Sequence, residues 1–408
     1  MIQFPSFWTQ HLFQESLPKN QFDLTSELKA LFHQYFGGNP IIAFAPGRIN
    51  LIGEHTDYQE GFVFPAAVQF GIWTGVQKNK LPFCRLYSMD FGEEFTFDWK
   101  SFSPKKGHWS TYVMGFLAQL KQAGYPFEGF DMVIGGNIPL GAGLSSSAAL
   151  SVSIGTALSQ LFGLKLNPLS ISKYAQNSEH QFAGVNCGIM DPYASAFGKK
   201  NHALLLDCRS NQHQEIPIDL SEYSLLLVNS NVKHSLADSA YNQRRAACEE
   251  SVQLLRAHFP YFQTLRDLKN ENLNEVEKLL PSSLFPKAKH VITECERVQL
   301  AANYLKQGDL KAFGKLMNES HRSLSRDYEV SCPELDFLAQ KAWEFPGVLG
   351  ARMMGGGFGG CTINLIRKSQ IKHFQDRIGS EYLASFNRQA IFISVEISSG
   401  THIVLGLD

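Results

Sequence analysis

Apolar residues recur every three or four positions over residues 20–36, a spacing that predicts an amphipathic helix stopped by "GGNP". "IIAFAPGRI" then reads as a strand running into a turn, with Pro46 and Gly47 as its punctuation. Between residues 60 and 100 the runs "GIWTGVQ", "CRLYSMD" and "EEFTFDW" predict short strands. The helical spacing returns from Trp109 to Ala123, and "GFDMVIGGNIP" alternates as a strand does. "LSSSAALSVSIGTALSQLFG" predicts a long helix ended by Gly163. A further helix covers about 168–183, and "GVNCGIMDPYAS" follows it as a loop. A second half begins at Tyr223 with the buried-strand pattern "YSLLLVNSNV". Residues 236–340 are mostly helical with charged faces, and the chain returns to strands in "GARMM", "CTINLIR" and "AIFISVEI". The class is therefore α+β with mixed, antiparallel-rich sheets packed against helices. A boundary between 210 and 225 divides the chain into residues 1–215 and 216–408.

Bulk properties narrow the picture. A chain of 408 residues has room for two or three domains, and 44% hydrophobic with 18% charged content fits a globular core. A net charge of −1 gives no overall pull toward nucleic acid or an anionic membrane. The seven cysteines are scattered without metal spacing, which predicts free thiols in a reducing compartment. "MIQFPSFWTQHLFQESLPKN" lacks the basic and apolar regions of a signal peptide, and no run approaches a membrane span. The expectation is a cytoplasmic protein with no nucleic-acid, membrane or obligate protein partner.

Two glycine-rich segments are candidate phosphate cradles. "PLGAGLSSSAAL", Pro139 to Leu150, lies between a strand and a long helix, where free N–H groups bind anions. It is no P-loop, because no Gly-Lys-Ser/Thr follows. Its serines either hold phosphate oxygens or Mg²⁺, or Ser145 merely caps the helix, and composition leaves both readings open. "GGGFGG" contains G-x-G-x-x-G as Gly355, Gly357 and Gly360, but the strand-like "CTINLIRK" follows where a dinucleotide site needs a helix. These glycines instead predict a close backbone approach beside two strands.

"GRINLIGEHTDYQEGFVFP", "PLGAGLSSSAAL" and "GARMMGGGFGGCT" resemble the three signature motifs of the GHMP small-molecule kinases, the first in its galactokinase form. Similarity continues through "SEHQFAGVNCGIMD", "NSNVKHSLADSAYNQRRAACEE" and "SLSRDYEVSCPELD", covering about residues 40 to 365 in order. The resemblance implies a two-domain kinase with its active site in the interdomain cleft, phosphorylating galactose at the anomeric hydroxyl as a step of galactose breakdown. It places ATP over Gly141, Gly143, Leu144, Ser145, Ser146 and Ser147, with Trp109 beside the adenine. Ser147 and Glu179 match the Mg²⁺ ligands, a hydroxyl and a carboxylate suited to a hard cation. Glu54, His55, Asp57, Gly188 and Tyr241 match the sugar contacts, and Gly356 and Gly357 lie near sugar or phosphate. Carboxylates are strong acceptors for hexose hydroxyls, and telling epimers apart needs groups that the wrong one leaves unpaired. Taken singly, Asp57 also reads as an Asx turn and His55 as a structural histidine. Asp191 matches the base for the anomeric hydroxyl, with Arg48 keeping it ionised.

Pro192 stands where many relatives carry Gln, and biases Asp191 toward extended backbone; Met354 stands where threonine is more usual. Alternatives are a related kinase acting on N-acetylgalactosamine or arabinose, or a non-catalytic sugar and ATP sensor. Intact Arg48, Ser147, Glu179 and Asp191 argue against the sensor.

Overall fold

The computed structural model describes residues 21–185, 187–232 and 237–406. The leader-peptide reading falls on residues 1–20, outside them. The chain begins with α1 (Gln21–Phe36), β1 (Ile41–Asn50), β2 (Phe62–Val63), β3 (Pro65–Lys78), β4 (Phe83–Ser88) and β5 (Glu93–Asp98). Next come α2 (Ser110–Gln122), β6 (Phe130–Gly136), α3 (Ser146–Phe162), α4 (Pro168–Ser178), α5 (Met190–Phe197), β7 (His202–Asp207) and β8 (Gln212–Pro217). The second half holds β9 (Tyr223–Asn229), α6 (Ala237–Leu255), α7 (Leu273–Leu279), α8 (Phe285–Lys306), α9 (Leu310–Arg326) and α10 (Pro333–Trp343). It closes with β10 (Val348–Met354), β11 (Cys361–Arg367), α11 (Ile371–Phe386), β12 (Ile391–Val395) and β13 (His402–Leu405).

The first sheet runs β13-β1-β3-β6-β4-β5, antiparallel except for the β4–β6 pair. The second runs β10-β11-β9-β12, wholly antiparallel, and a small third sheet is β2-β7-β8. The α+β class and the antiparallel-rich sheets are as expected. β13 brings the end of the chain back to β1, so the first sheet is completed from the far end of the sequence.

β1 is buried at all ten positions, which its near-continuous apolar run explains. The turn expected at Pro46–Gly47 is a bulge inside this strand: register shifts between Pro46 and Arg48, and the strand continues to Asn50. A bulge is where a central strand tolerates the missing proline N–H. A Cβ on Gly47 would lie 2.6 Å from the Leu144 carbonyl oxygen, so the glycine lets the serine-rich loop press directly on β1. α3 lies across β1 and β3 on small residues, and Thr74 meets Ser153 hydroxyl to hydroxyl at 2.7 Å. Gly163 ends this helix in the left-handed region, φ 65°, with Leu164 N–H returning to the Ser159 carbonyl.

Two readings need correction. Met190–Phe197, expected as loop, is a short helix with Pro192 in its first turn, where the absent N–H costs nothing. α11 occupies residues between β11 and β12, a stretch read only as strands. One hydrophobic core joins both halves, bringing Ile49, Phe64 and Ala203 against Leu227, Val298 and Ile363. All seven cysteines are free thiols. Among the described residues no helix is long and apolar enough to cross a membrane.

Candidate active site

Arg48 follows the β1 bulge, and its backbone N–H donates to the Leu144 carbonyl, 3.0 Å. Its guanidinium forks onto Asp191, Nε to Oδ1 at 2.7 Å and Nη2 to Oδ2 at 2.9 Å, while Nη1 donates to the Gly143 carbonyl at 2.6 Å. Ser145 donates its hydroxyl to Asp191 Oδ2, 2.5 Å. Ser145 lies in the left-handed region, φ 58°, and its side chain makes no capping bond to α3. The capping alternative therefore fails, because the hydroxyl is spent on the carboxylate. Three hydrogen bonds fix the Asp191 side chain, and this anchoring overrides the extended bias from Pro192. Gly141, Gly143 and Ser146 are exposed, so the loop offers open backbone at the start of α3.

Ser147, in the first turn of α3, hydrogen-bonds Glu179, which opens a π-helical turn after α4. Tyr112 reaches the same Ser147, and Cys187 also bonds Glu179. Burial, with nearby Asp191, pushes the Glu179 carboxyl up to about 7, against the Ser147 and Cys187 hydrogen bonds. Among the described residues no cluster of three or more His, Cys, Asp or Glu is built to hold a metal. A buried carboxylate short of a positive partner, beside a hydroxyl, is nevertheless an oxygen donor set that a hard divalent cation fits.

Residues 53–58 follow closely on β1. Glu54 is buried; Oε2 accepts from Asn50 Nδ2 at 3.0 Å and Oε1 from the Gly355 N–H at 2.8 Å. Arg352, fully buried on β10, brings Nη2 to 3.1 Å from Glu54 Oε1 and donates Nη1 to the Asn50 carbonyl at 2.9 Å. His55 Nε2 donates to the Gly356 carbonyl at 3.2 Å, since a carbonyl only accepts, and Nδ1 accepts from the Tyr58 hydroxyl at 2.9 Å. Tyr58 in turn meets the Tyr328 hydroxyl at 2.6 Å. Burial, with His290 close by, pushes the His55 pKa down to about 3, so the ring is neutral. Glu54 and His55 were expected as sugar contacts, yet both His55 nitrogens and both Glu54 oxygens already have protein partners. These bonds brace the motif.

Asp57 differs. Burial, with Asp191 nearby, pushes its carboxyl up to about 7 despite the Tyr58 N–H bond at 2.9 Å. A Cβ on Gly188 would fall 1.8 Å from Asp57 Oδ2, so only glycine admits this carboxylate. The two also line a polar cleft of about 330 Å³ with Lys173, Gln176, His180 and Cys187. Tyr241 faces Gly356, a Cβ there lying 3.5 Å from its ring, and its ring is 5.4 Å from that of His55.

Gly355–Gly360 links β10 to β11 and is pressed from several sides, which accounts for its composition. A Cβ on Gly357 would strike the Val330 carbonyl at 2.1 Å, and Gly355, Gly357 and Gly360 have φ of 86°, 84° and 82°. Close backbone approach, as expected, is its character. Trp109 stands apart: it is 5% exposed, packed in the core under the first sheet, with Nε1 donating to Glu93 at 3.0 Å. Its ring serves packing. Sequence reading missed Arg352 and the Ser145–Asp191 bond. The arginine inside the apolar-flanked "GARMMG" was the available signal for the first; nothing local signals the second.

Three segments match known families. Residues 30–78 match the "Galactokinase galactose-binding signature", residues 111–199 the "GHMP kinases N terminal domain" and residues 301–384 the "GHMP kinases C terminal". The chain is 41% identical over 384 residues to a galactokinase of Exiguobacterium sibiricum, covering 92% of this chain and 97% of that one. It is 40% identical over 392 residues to a galactokinase of Streptococcus suis, covering 93% and 99%. The crystal structure of Lactococcus lactis galactokinase complexed with galactose matches with a TM-score of 0.89 at 37% identity, over 93% of this chain and 99% of that one. A mevalonate kinase structure, at 18% identity and TM-score 0.63 over 88% of this chain and 99% of that one, shares the fold.

Proposed function

The chain belongs to the galactokinase family of GHMP kinases, and on that premise we propose that it transfers the γ-phosphoryl group of ATP to the anomeric hydroxyl of galactose. The products are galactose 1-phosphate and ADP. The observation that carries the reading is the Arg48–Asp191 fork held against the serine loop. Phosphoryl transfer asks the protein chiefly for positioning and charge stabilisation. Asp191, fixed by Arg48 and Ser145, is the acceptor that orients the hydroxyl and takes its proton. Arg48 holds that carboxylate through its two-pronged hydrogen bond and offsets charge on the transferring phosphoryl group. The phosphates of ATP lie over Gly141, Gly143, Leu144, Ser145, Ser146 and Ser147, where open N–H groups and the α3 dipole favour anions.

Ser147 and Glu179 would hold Mg²⁺, which neutralises phosphate charge when bound. Asp57, Gly188 and Tyr241 carry sugar recognition, with Glu54 and His55 fixing the backbone around them and Gly356 and Gly357 bounding the cleft. In this reading residues 1–215 and 216–408 are the two domains, and the enzyme works in the cytoplasm.

A coupled ADP-release assay with Mg·ATP against galactose, glucose, N-acetylgalactosamine and arabinose tests the proposal. Turnover on galactose, exceeding the others by orders of magnitude, is the expected result. Turnover confined to another sugar discards galactose as substrate, and sugar binding without turnover on any discards catalysis.

A further inference from the structure

The stretch between β1 and β2 carries the sugar motif with one short 3-10 turn, Asp57–Gln59, as its regular structure, so its other buried backbone groups need partners from elsewhere. Two come from α8, at positions four apart and hence on one helix face. Glu294, fully buried, accepts the Gly53 N–H on Oε1 at 3.0 Å, together with the Ser320 hydroxyl at 2.5 Å. Its Oε2 accepts from Arg297 Nε at 2.7 Å. His290, also fully buried, donates Nε2 to the Glu54 carbonyl at 3.1 Å and packs its ring 4.6 Å from that of Tyr328.

The backbone gripped in this way is unusual. Gly53 has φ +102°, and a Cβ there would meet Val298 Cγ2 at 2.8 Å and the Phe62 carbonyl at 2.9 Å. His55 has φ 62°, a left-handed conformation that costs a non-glycine residue free energy and persists only where surroundings over-determine it. Burial raises the Glu294 carboxyl, but Arg297, His290 and Arg352 outweigh it and leave the group ionised, down at about 2. A charged acceptor for the Gly53 N–H is worth more than a neutral one.

We propose that His290 and Glu294 are positioning residues for sugar recognition, gripping the Gly53 N–H and the Glu54 carbonyl so that the motif holds one arrangement and presents Asp57 to the cleft. The role rests on the galactokinase reading above. The clamp bears on the sugar wall and not on the serine loop, so its loss acts on one substrate and spares the other.

The test combines two readouts on the full chain: hydrogen–deuterium exchange over residues 50–58, and separate KM values for galactose and ATP. Glu294→Ala should quicken exchange there, and raise KM for galactose, each by about tenfold to a hundredfold, the loss expected for a hydrogen bond to a charged group. Exchange in β9 and β11 should hold, reporting an intact fold, and KM for ATP should stay within about twofold. Glu294→Gln keeps an acceptor oxygen for Gly53 and should return both readouts toward the parent. His290→Phe, which has no donor, should shift them as Glu294→Ala does. Unchanged exchange in Glu294→Ala overturns the proposal, as does faster exchange with both KM values unmoved or raised together. A parent protein that fails to phosphorylate galactose would sink the galactokinase reading instead; exchange alone would then decide the clamp.

Discussion

The site uses an arginine–carboxylate pair twice, to different ends. At the serine loop the Arg48 side chain is 7% exposed and that of Asp191 27%, a fork that solvent and a substrate can still reach. At the sugar motif Arg352 and Glu54 are 0% and 3% exposed, and Glu54 is tied further to Asn50 and the Gly355 N–H. Arg352 Nε finds no hydrogen-bond partner among the described residues, and Nη2 meets Glu54 without the alignment of a hydrogen bond. The reachable pair keeps capacity for a reacting group. The buried one has spent that capacity on geometry, joining β1, the sugar motif and the glycine loop. Equal residue types therefore predict unequal roles once burial is known.

Substitutions can break this contrast. The largest effect falls on the reachable pair: Arg48→Ala should lower turnover by about a hundredfold to a thousandfold, as removal of a transition-state donor does. Steady-state kinetics with saturating ATP would show it. Glu54→Ala should instead cost about 3–5 kcal/mol of stability, because it strands the Arg352 guanidinium in the core. Urea unfolding of Glu54→Leu with Arg352→Met should recover most of that loss; an additive double variant would contradict the buried-pair account.

Ser145→Ala sharpens the comparison at smaller scale. Turnover should fall about tenfold to a hundredfold through the lost bond to Asp191. The melting temperature should scarcely move, since Ser145 makes no capping bond. The smallest effect is on pH. Asp57 and Glu179 have folded values near 7, above the ordinary 3.8 and 4.5, so the stability they contribute is present at low pH and lost as pH rises through about 7. Calorimetry of ligand-free protein between about pH 5 and about pH 8 should show this decline, with a shallower slope for Glu179→Gln.

The strands and long helices were legible because their apolar spacing is local. The five positions from Ile41 to Ala45 were as plain in sequence as they are in the sheet. Met190–Phe197 was not, because a proline and an isolated aspartate look like a turn until Arg48 and Ser145 hold the aspartate in place. The charged positions of residues 236–340 read as solvated faces. His290 and Glu294 show the limit of that reading: one face of α8 is polar and buried, because its partners include backbone groups distant in sequence, while Arg297 pairs with Glu294 along the helix. The site motifs were recognisable as blocks, but the division between side chains that remain open and those that brace appears only with their partners.

The most direct measurement pairs turnover with galactose affinity in Asp191→Asn. Asparagine keeps an acceptor oxygen for Arg48 but cannot take the hydroxyl proton. Turnover lower by about a hundredfold to ten-thousandfold, with the galactose Kd nearly unchanged by calorimetry, is the predicted result. Turnover within about tenfold of the parent would contradict the assignment of the chemistry to the Arg48–Asp191 pair.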